Sequence, residues 1–244
     1  MVSRFPRARR GQAAVEAAIT LPLAVFLVLG ALQLFLMLQA RLMTEHAAFR
    51  AVRAGSLGQG SCRRMLHAAV TTLLPTFTRT DSAARLGQAF KGHNNNRYQP
   101  GADSGHDGEI VWVLRDQPRL DSLPKGQSEV EDFDDPDRDS PRLEVRLAFW
   151  YPMRIPFANW VIARMVLAAW SLKPYNAVDP LMPVHDARWS GGAPPSEVPR
   201  EVLETFKQRT DSPAGTFVFP IQATYGMRMM TPPRRDFFSP QDCR

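Results

Sequence analysis

The sequence predicts an α+β protein in which a long N-terminal membrane-spanning helix is followed by a small outer domain with an antiparallel sheet and one or two helices. Three patterns predict this class. Residues 17–40 contain no charged side chain, as membrane helices do. Residues 143–149 alternate apolar and polar side chains, as a half-buried strand does. Residues 216–227 predict one or two further strands, with an edge break at Pro220.

The uncharged segment is long enough to cross a bilayer, because it would span about 36 Å at about 1.5 Å per residue, against about 30 Å of hydrocarbon. Its length and its continuation into Arg41 favour a retained anchor over a cleaved secretory signal, whose apolar core is normally about 7 to 15 residues long. The N-terminal side carries a cluster of arginines: Arg4, Arg7, Arg9 and Arg10. The positive-inside rule therefore keeps residues 1–11 in the cytoplasm and sends the rest of the chain outward.

The composition divides the chain into four regions. Residues 1–11 form a basic leader, and residues 12–57 form the membrane helix and its extension, with glycines at its end. Residues 58–142 are predicted to hold a short helix and a polar, partly disordered loop region. Residues 143–244 form the outer α+β region.

The third region, residues 58–142, contains two predicted elements. Helical spacing over residues 62–74 predicts a helix that ends at Pro75. Residues 110–114 are a short strand candidate whose buried face the pattern does not fix. The remainder of residues 76–142 is predicted to be long loop or partial disorder.

Residues 155–172 are predicted to form a buried or interfacial helix. The segment is apolar and aromatic, but Arg164 would be costly in a second membrane span. Trp160 and Trp170 are expected either to pack against the sheet or to lie at the membrane surface, and packing in the core is the interpretation we favour.

The net charge of +6 does not predict a nucleic-acid-binding protein. The arginines are scattered, and no basic stripe is interleaved with aromatic residues. Arginines beside a membrane more often meet anionic headgroups, so the lipid bilayer is an expected partner.

Cys62 and Cys243 are the two cysteines of the chain, and both fall on the predicted outer side. An oxidising compartment would allow a disulfide bond that ties the C-terminal tail to the first outer helix. Two free thiols are the alternative, because the sequence does not give the distance between them.

The sequence contains no convincing catalytic or metal-binding constellation. His106 and the His185–Asp186 pair lack the histidine or cysteine spacing of a zinc site, and both are interpreted as solvated loop. The acidic run 129–139 lacks the glycine and the closing glutamate of a calcium loop and is interrupted by Pro136. We expect no catalytic residues, no metal, no cofactor and no enzyme activity.

The segment around Gly11 carries the most specific motif. Basic residues precede Gly11, Gln12 follows it, and Glu16 would be the fifth residue of a chain cut after Gly11. This arrangement resembles the processing site of type IV pilins and pseudopilins. The apolar residues that follow, and the segment 47–55, resemble TadE-type minor pseudopilins of the tight-adherence (Tad/Flp) pilus system, over roughly the first 55 residues.

The resemblance implies a function in pilus assembly or a related secretion machinery. A prepilin peptidase would cut between Gly11 and Gln12, and the carboxylate of Glu16 would pair with the new amine of a neighbouring subunit. The implied partners are that peptidase, other pilins and pseudopilins, and an inner-membrane assembly platform. The implied location is the bacterial inner membrane, with a single span, a cytoplasmic N-terminus and a periplasmic C-terminal domain.

Several residues inside the membrane helix have two interpretations. Pro22 removes one backbone hydrogen bond, and it is either a harmless kink or a bend that helps subunits to pack. Thr20, Gly30 and Gln33 could mark a helix-packing face, since small and polar residues allow close approach in lipid.

A second class of function stays open. The chain could be a periplasmic binding or enzymatic domain held by an uncleaved signal anchor, in which case the spacing of Gly11 and Glu16 would be coincidence.

Overall fold

The computed structural model describes residues 9–123, 141–171, 200–211 and 216–244, and the α+β class is confirmed. Predictions for leader residues 1–8, the acidic run 129–139 and His185–Asp186 lie outside the described residues. In chain order the elements are α1 (Arg9–Leu57), α2 (Cys62–Phe77), α3 (Ala83–His93), β1 (Val111–Gln117), β2 (Arg142–Pro152), α4 (Ala158–Ser171), α5 (Arg200–Thr210) and β3 (Val218–Arg228).

The first helix is a single rod of 49 residues, which corresponds to about 73 Å at about 1.5 Å per residue. Within the described chain, its segment Val15–Leu57 is the one helix long and apolar enough to cross a membrane. A turn then reverses the chain, because the Gly60 N–H donates to the Gly55 carbonyl at 2.8 Å. The second helix returns from this turn and packs against the first.

The three strands form one antiparallel sheet in the order β1-β2-β3. In the central strand, Leu147 pairs with Val113 of β1 and with Ala223 of β3. β1 comes from the predicted loop region and the other strands from the predicted α+β region, so the two regions share one sheet.

Helices α1 and α2 cover one face of the sheet, where Leu143, Leu147 and Phe149 are fully buried. The opposite face carries Trp150, whose ring meets that of Trp112 edge-on. Every residue of β2 from Ala148 to Pro152 is buried, so the predicted half-buried pattern holds only for the first half of the strand. The core therefore lies around the central strand.

Strand β3 is continuous, and the predicted break at Pro220 is wrong. Pro220 pairs with Trp150 as the third residue of β3, within an unbroken register. A proline is tolerated here because β3 is an edge strand, where a missing N–H need not remove a hydrogen bond of the ladder.

Two helix predictions need correction. Helix α2 does not end at Pro75 but continues to Phe77, because a proline in the last turn removes a single hydrogen bond while Leu74 and Phe77 gain burial. The segment of α3 was expected to be loop, yet it is helical, with the Ser82 hydroxyl accepting from the Arg85 N–H at its start.

The loop between α3 and β1 is ordered by its own polar side chains. The Asn96 side chain donates to the Val111 carbonyl at 2.7 Å and accepts from the Val111 N–H at 3.0 Å, which caps the edge of β1. His106 is buried, and its two ring nitrogens lie 2.8 Å from the Asp103 carbonyl and 3.3 Å from the Phe217 carbonyl. The prediction of a solvated loop at His106 is therefore wrong.

Helix α4 confirms the predicted helix over residues 155–172. Ala158 and Ala163 are its buried residues, whereas Trp160 is 53% exposed. The interpretation that Trp160 packs in the core is therefore wrong, because Ala158 and Ala163, with the partly buried Ile162, Val166 and Leu167, form the inner face of α4 and the indole lies on the outer one.

The C-terminal tail is joined to the start of α2 by a disulfide bond between Cys62 and Cys243. The tail also pairs with β1, since the Cys243 N–H donates to the Val113 carbonyl at 2.9 Å and the Val113 N–H donates back at 3.0 Å. Of the two alternatives left open by the sequence, the structure therefore contains the bridge.

The buried side chain of Arg115, which belongs to β1, binds this tail. Its guanidinium donates to the carbonyls of Gly60, Phe237 and Gln241 at 2.8, 2.7 and 2.6 Å, and also to that of Pro240. Burial lowers the pKa of Arg115 to about 10, an effect that the Asp242 carboxylate partly offsets. One side chain thus satisfies several backbone acceptors that the tail would otherwise leave unpaired.

Replacing both cysteines, Cys62→Ser with Cys243→Ser, should destabilise the fold, because the bridge closes a sequence separation of 181 residues. We expect a loss of about 3–5 kcal/mol in the free energy of unfolding and a melting midpoint lower by roughly 6–20 °C. Circular dichroism of the detergent-solubilised chain measures this change. A reductant should lower the wild-type midpoint to the value of the variant and leave the variant unchanged. Equal midpoints for both proteins would contradict the prediction.

Candidate functional site

The candidate site is the helix α1, which passes through two environments. Every residue from Val15 to Val25 is exposed, so the other described elements do not bury this part of the rod. The exposed large apolar side chains of this half continue to Leu38, and all are between 49% and 67% exposed. An aqueous helix surface does not carry such a row, which indicates that lipid or other apolar helices surround it.

The residues of the predicted processing site lie at the start of α1. Gly11 and Gln12 belong to its first turn, and Glu16 follows one turn later on the exposed surface. The Glu16 backbone carbonyl accepts a hydrogen bond from the Thr20 hydroxyl at 2.8 Å. Thr20 is therefore bonded within its own helix, and the assembly and cleavage roles of Gly11, Gln12 and Glu16 stay predictions.

Pro22 and Gly30 lie within the exposed half of the rod. The helix is continuous across Pro22, although the Ala18 carbonyl loses the hydrogen bond that an N–H at position 22 would donate. An added Cβ at Gly30 would meet nothing within 4 Å in the chain, so this position leaves room for a neighbouring helix. Whether Pro22 bends the rod for packing stays a prediction.

The second half of α1 presents a face of small buried residues to the outer domain. Helical spacing brings them to one side of the rod, where they pack on α2, β2 and β3. They are Ala40, Thr44, Ala47, Ala48, Ala51, Val52, Gly55 and Ser56. Small side chains let the helix backbone approach the sheet closely, and this packing joins the rod to the domain.

Gly55 and Ser56 fix the end of this face. A Cβ on Gly55 would lie 2.6 Å from Met65 Sδ and 2.7 Å from Leu143 Cδ2, so α2 and β2 both approach the glycine directly. The Ser56 hydroxyl donates to the Arg228 carbonyl at 3.0 Å and accepts from the Met230 N–H at 2.9 Å. The end of β3 is thereby held on the end of α1.

Gln33 is buried much nearer to the membrane end of the rod. Its Oε1 accepts the Ile155 N–H at 3.1 Å, just before the start of α4. Gln33 therefore bonds within the chain, as a polar residue at a helix-packing face should.

The matched family model covers most of this helix. Residues 11–53 match the model described as TadE-like protein. The N-terminal segment of the chain is TadE-like. The match confirms the resemblance over this segment and supports a membrane protein related to the Tad pilus. Comparison with curated proteins and with solved structures gives no match.

A polar cavity of about 750 Å³ lies in the outer domain, beyond the TadE-like segment. His93 Nε2 lies 2.8 Å from Asp103 Oδ2, which also accepts the Gln99 N–H at 2.6 Å. His93 Nδ1 faces the Ala89 carbonyl at 2.7 Å. These bonds hold α3 against the following loop, and within the described residues no group of three His, Cys, Asp or Glu side chains could hold a metal ion.

Sequence reasoning missed two arginines that organise the domain, the buried Arg115 and the half-buried Arg209. Arg115 binds the tail, and Arg209 of α5 stacks on Trp150 at 4.6 Å while donating to the Glu109 carbonyl at 3.1 Å. Burial lowers the pKa of Arg209, and Tyr98 and Glu109 raise it in part. Neither arginine has a local sequence signal, because their carbonyl partners come from distant segments.

Substitution Gly55→Ala tests the close packing of the small-residue face. The added methyl would collide with Met65 and Leu143, so we expect the free energy of unfolding to fall by about 1–3 kcal/mol. The matched control is Gly87→Ala in α3, where nothing lies within 4 Å and the better helix propensity should raise stability by up to about 1 kcal/mol. Thermal unfolding of both variants measures the difference, and shifts of the same sign would disprove the proposed contact.

Proposed function

We propose that this chain is a pseudopilin-type structural protein of a Tad/Flp pilus or a related secretion machinery, matured by a prepilin peptidase after Gly11. The observation that carries the proposal is the division of α1. Every residue from Val15 to Val25 is exposed and most are apolar, while the second half of α1 is packed into a folded domain. Such a rod can lie in a bilayer before assembly and among other apolar helices afterwards.

The start of the family match supports the processing site. The match begins at Gly11, the residue after which the peptidase would cut, and excludes residues 1–10. Removal of that leader would give Gln12 a free ammonium group one turn before Glu16. The two charges then lie on nearly the same side of the rod, about one turn apart.

Pairing between subunits follows from this spacing. A carboxylate drawn toward the centre of a membrane helix costs about 2.5–3.5 kcal/mol, and a positive partner reduces that cost. When two rods stagger side by side, the Glu16 carboxylate of one meets the Gln12 ammonium of the next. The charge pair would thus align neighbouring subunits in a surface that is otherwise apolar.

The orientation proposed is a cytoplasmic leader and a periplasmic outer domain. Arginines crowd the leader side of the span, which favours its retention in the cytoplasm. The Cys62–Cys243 bond supports the same orientation, because disulfide bonds persist in oxidising compartments such as the periplasm. The proposed partners are the prepilin peptidase, other pilins and pseudopilins, and the inner-membrane platform, with no enzymatic role for the chain itself.

Cleavage is tested by co-expressing the chain with a Tad prepilin peptidase and determining the N-terminus by mass spectrometry. We expect a mature chain that starts at Gln12, and Gly11→Val should retain the leader because the bulkier residue blocks the peptidase site. Gly30→Val is the matched control in the same helix and should be cleaved normally, since its added Cβ meets nothing. A wild-type chain that retains Met1, or is cut beyond Ala40, would favour the alternative of a domain on an uncleaved anchor.

Charge pairing is tested by Glu16→Gln, which removes the charge and keeps the shape. We expect normal cleavage but a loss of incorporation into the pilus or its assembly complex of about tenfold or more, since about 1.4 kcal/mol corresponds to a factor of ten. Immunoblots of sheared pili and of purified membrane complexes measure incorporation. Glu45→Gln is the control, because Glu45 lies on the same helix and pairs with Arg41 at the protein surface. Unimpaired incorporation of the Glu16 variant would refute the pairing.

A further inference from the structure

Helix α4 carries an apolar outer face that no other described part of the chain covers. The helix has 14 residues, and Arg164 is its one charged residue. Its exposed side chains, with the residue just before it, include Phe157 at 74%, Trp160 at 53% and Met165 at 66% exposure. Large exposed apolar side chains grouped in this way mark a contact surface.

The position of α4 on α1 indicates what this surface contacts. The Ile155 N–H donates to Gln33 Oε1 at 3.1 Å, and α4 contacts α1 directly. Gln33 lies five turns beyond Val15, or about 27 Å along the axis at about 1.5 Å per residue. If Val15 lies at the inner edge of a hydrocarbon layer of about 30 Å, the start of α4 lies near the outer edge.

The exposure of the residues beside Gln33 also supports placing the start of α4 near the edge of the hydrocarbon layer. Leu32 and Leu34 flank it in the chain and are 50% and 58% exposed. The domain thus contacts α1 through the buried Gln33, within a stretch of the rod whose other sides are apolar and uncovered. A helix attached here must lie beside lipid if the rod spans the bilayer.

Arg164, the one charged residue of α4, is compatible with a position of this helix at the level of the lipid headgroups. The Arg164 guanidinium lies 3.0 Å from the Asp211 carboxylate after α5, and both side chains are 47% exposed. A paired arginine with a long apolar stem can cover apolar surface while its charge stays in the polar zone. Trp160 fits the same zone, because tryptophans are enriched at membrane interfaces.

We infer that α4 lies in the outer interface of the bilayer spanned by α1, with Phe157, Trp160 and Met165 inserted among the lipid chains. The inference rests on the membrane span of the proposed function. The outer domain then has two attachments to the membrane, the rod and a surface helix, and its orientation relative to the bilayer is fixed before assembly. Transfer into a pilus would require α4 to leave the lipid.

The test uses a nitroxide spin label on an introduced cysteine in the full chain, reconstituted in lipid nanodiscs. The native cysteines are joined to each other, so the introduced thiol is the one that reacts. Met165→Cys places the label on α4, and Met230→Cys is the matched control. The two methionines are 66% and 64% exposed, but Met230 binds Ser56, about 35 Å farther along α1 than Gln33.

The measurement is how often the spin label collides with each of two relaxing reagents. Frequent collisions with oxygen, which is concentrated in lipid, indicate that the label lies in the bilayer. Frequent collisions with a water-soluble nickel chelate indicate that it lies in solvent. We expect the label at position 165 to lose collisions with nickel relative to position 230 and to gain collisions with oxygen. Equal nickel accessibility at both positions would overturn the inference. A label at position 165 that is shielded from both reagents would also overturn it, because protein rather than lipid would then cover α4.

A third label separates this inference from the proposed membrane span. Val28→Cys lies in the exposed half of α1, where the native side chain is 60% exposed. If the label at 28 reports lipid and that at 165 reports water, the span holds and the placement of α4 is wrong. If the label at 28 also reports water, the span itself fails.

Discussion

The packing of the small-residue face of α1 against the sheet is the constraint on which the rest of the structure depends. The helix of 49 residues is both a rod and part of a domain core, and its two halves differ in side-chain size. Alanine, serine and glycine in the second half let β2, β3 and α2 approach the backbone. Leucine, isoleucine and valine in the first half instead present a broad apolar surface to whatever surrounds it.

The C-terminal tail closes the domain on the end of this helix. The tail pairs with β1, is bonded covalently to α2, and supplies carbonyl groups to Arg115. The Phe238 ring lies 4.3 Å from the same guanidinium and contacts Gly60, where a Cβ would come within 2.5 Å of the ring and a φ of +86° favours glycine. The turn after α1, the sheet edge and the chain end thus form one unit, which keeps the rod in a defined position on the domain.

The TadE-like match is confined to the rod and covers both of its halves. The TadE-like match ends at residue 53, close to the end of the small-residue face. The residues that line the polar cavity, including His93 and Asp103, lie beyond it. The proposed assembly role therefore belongs to the rod, whereas the polar cavity belongs to the domain beyond the matched segment.

Much of the fold could be predicted from local patterns. The uncharged run predicted the rod, and strict alternation predicted the central strand, since each pattern reflects a single environment along one element. Helix α3 was missed because Gly87 and Gly92 weaken its helical pattern, although Ser82 caps it. The order of the loop at Asn96 was missed because its stability comes from hydrogen bonds to a strand that the pattern did not fix.

The sequence by itself determined that the chain has an apolar rod, a basic N-terminal segment, a glutamate five positions after Gly11 and a domain built on a sheet. These features depend on residue type and on spacing along the chain. Only the tertiary structure decided that Cys62 forms a disulfide bond with Cys243, that Arg115 donates hydrogen bonds to the tail carbonyls and that Trp160 is exposed. The physical reason is that such contacts join segments far apart in sequence, and their geometry is set by the packing of α1 on the sheet.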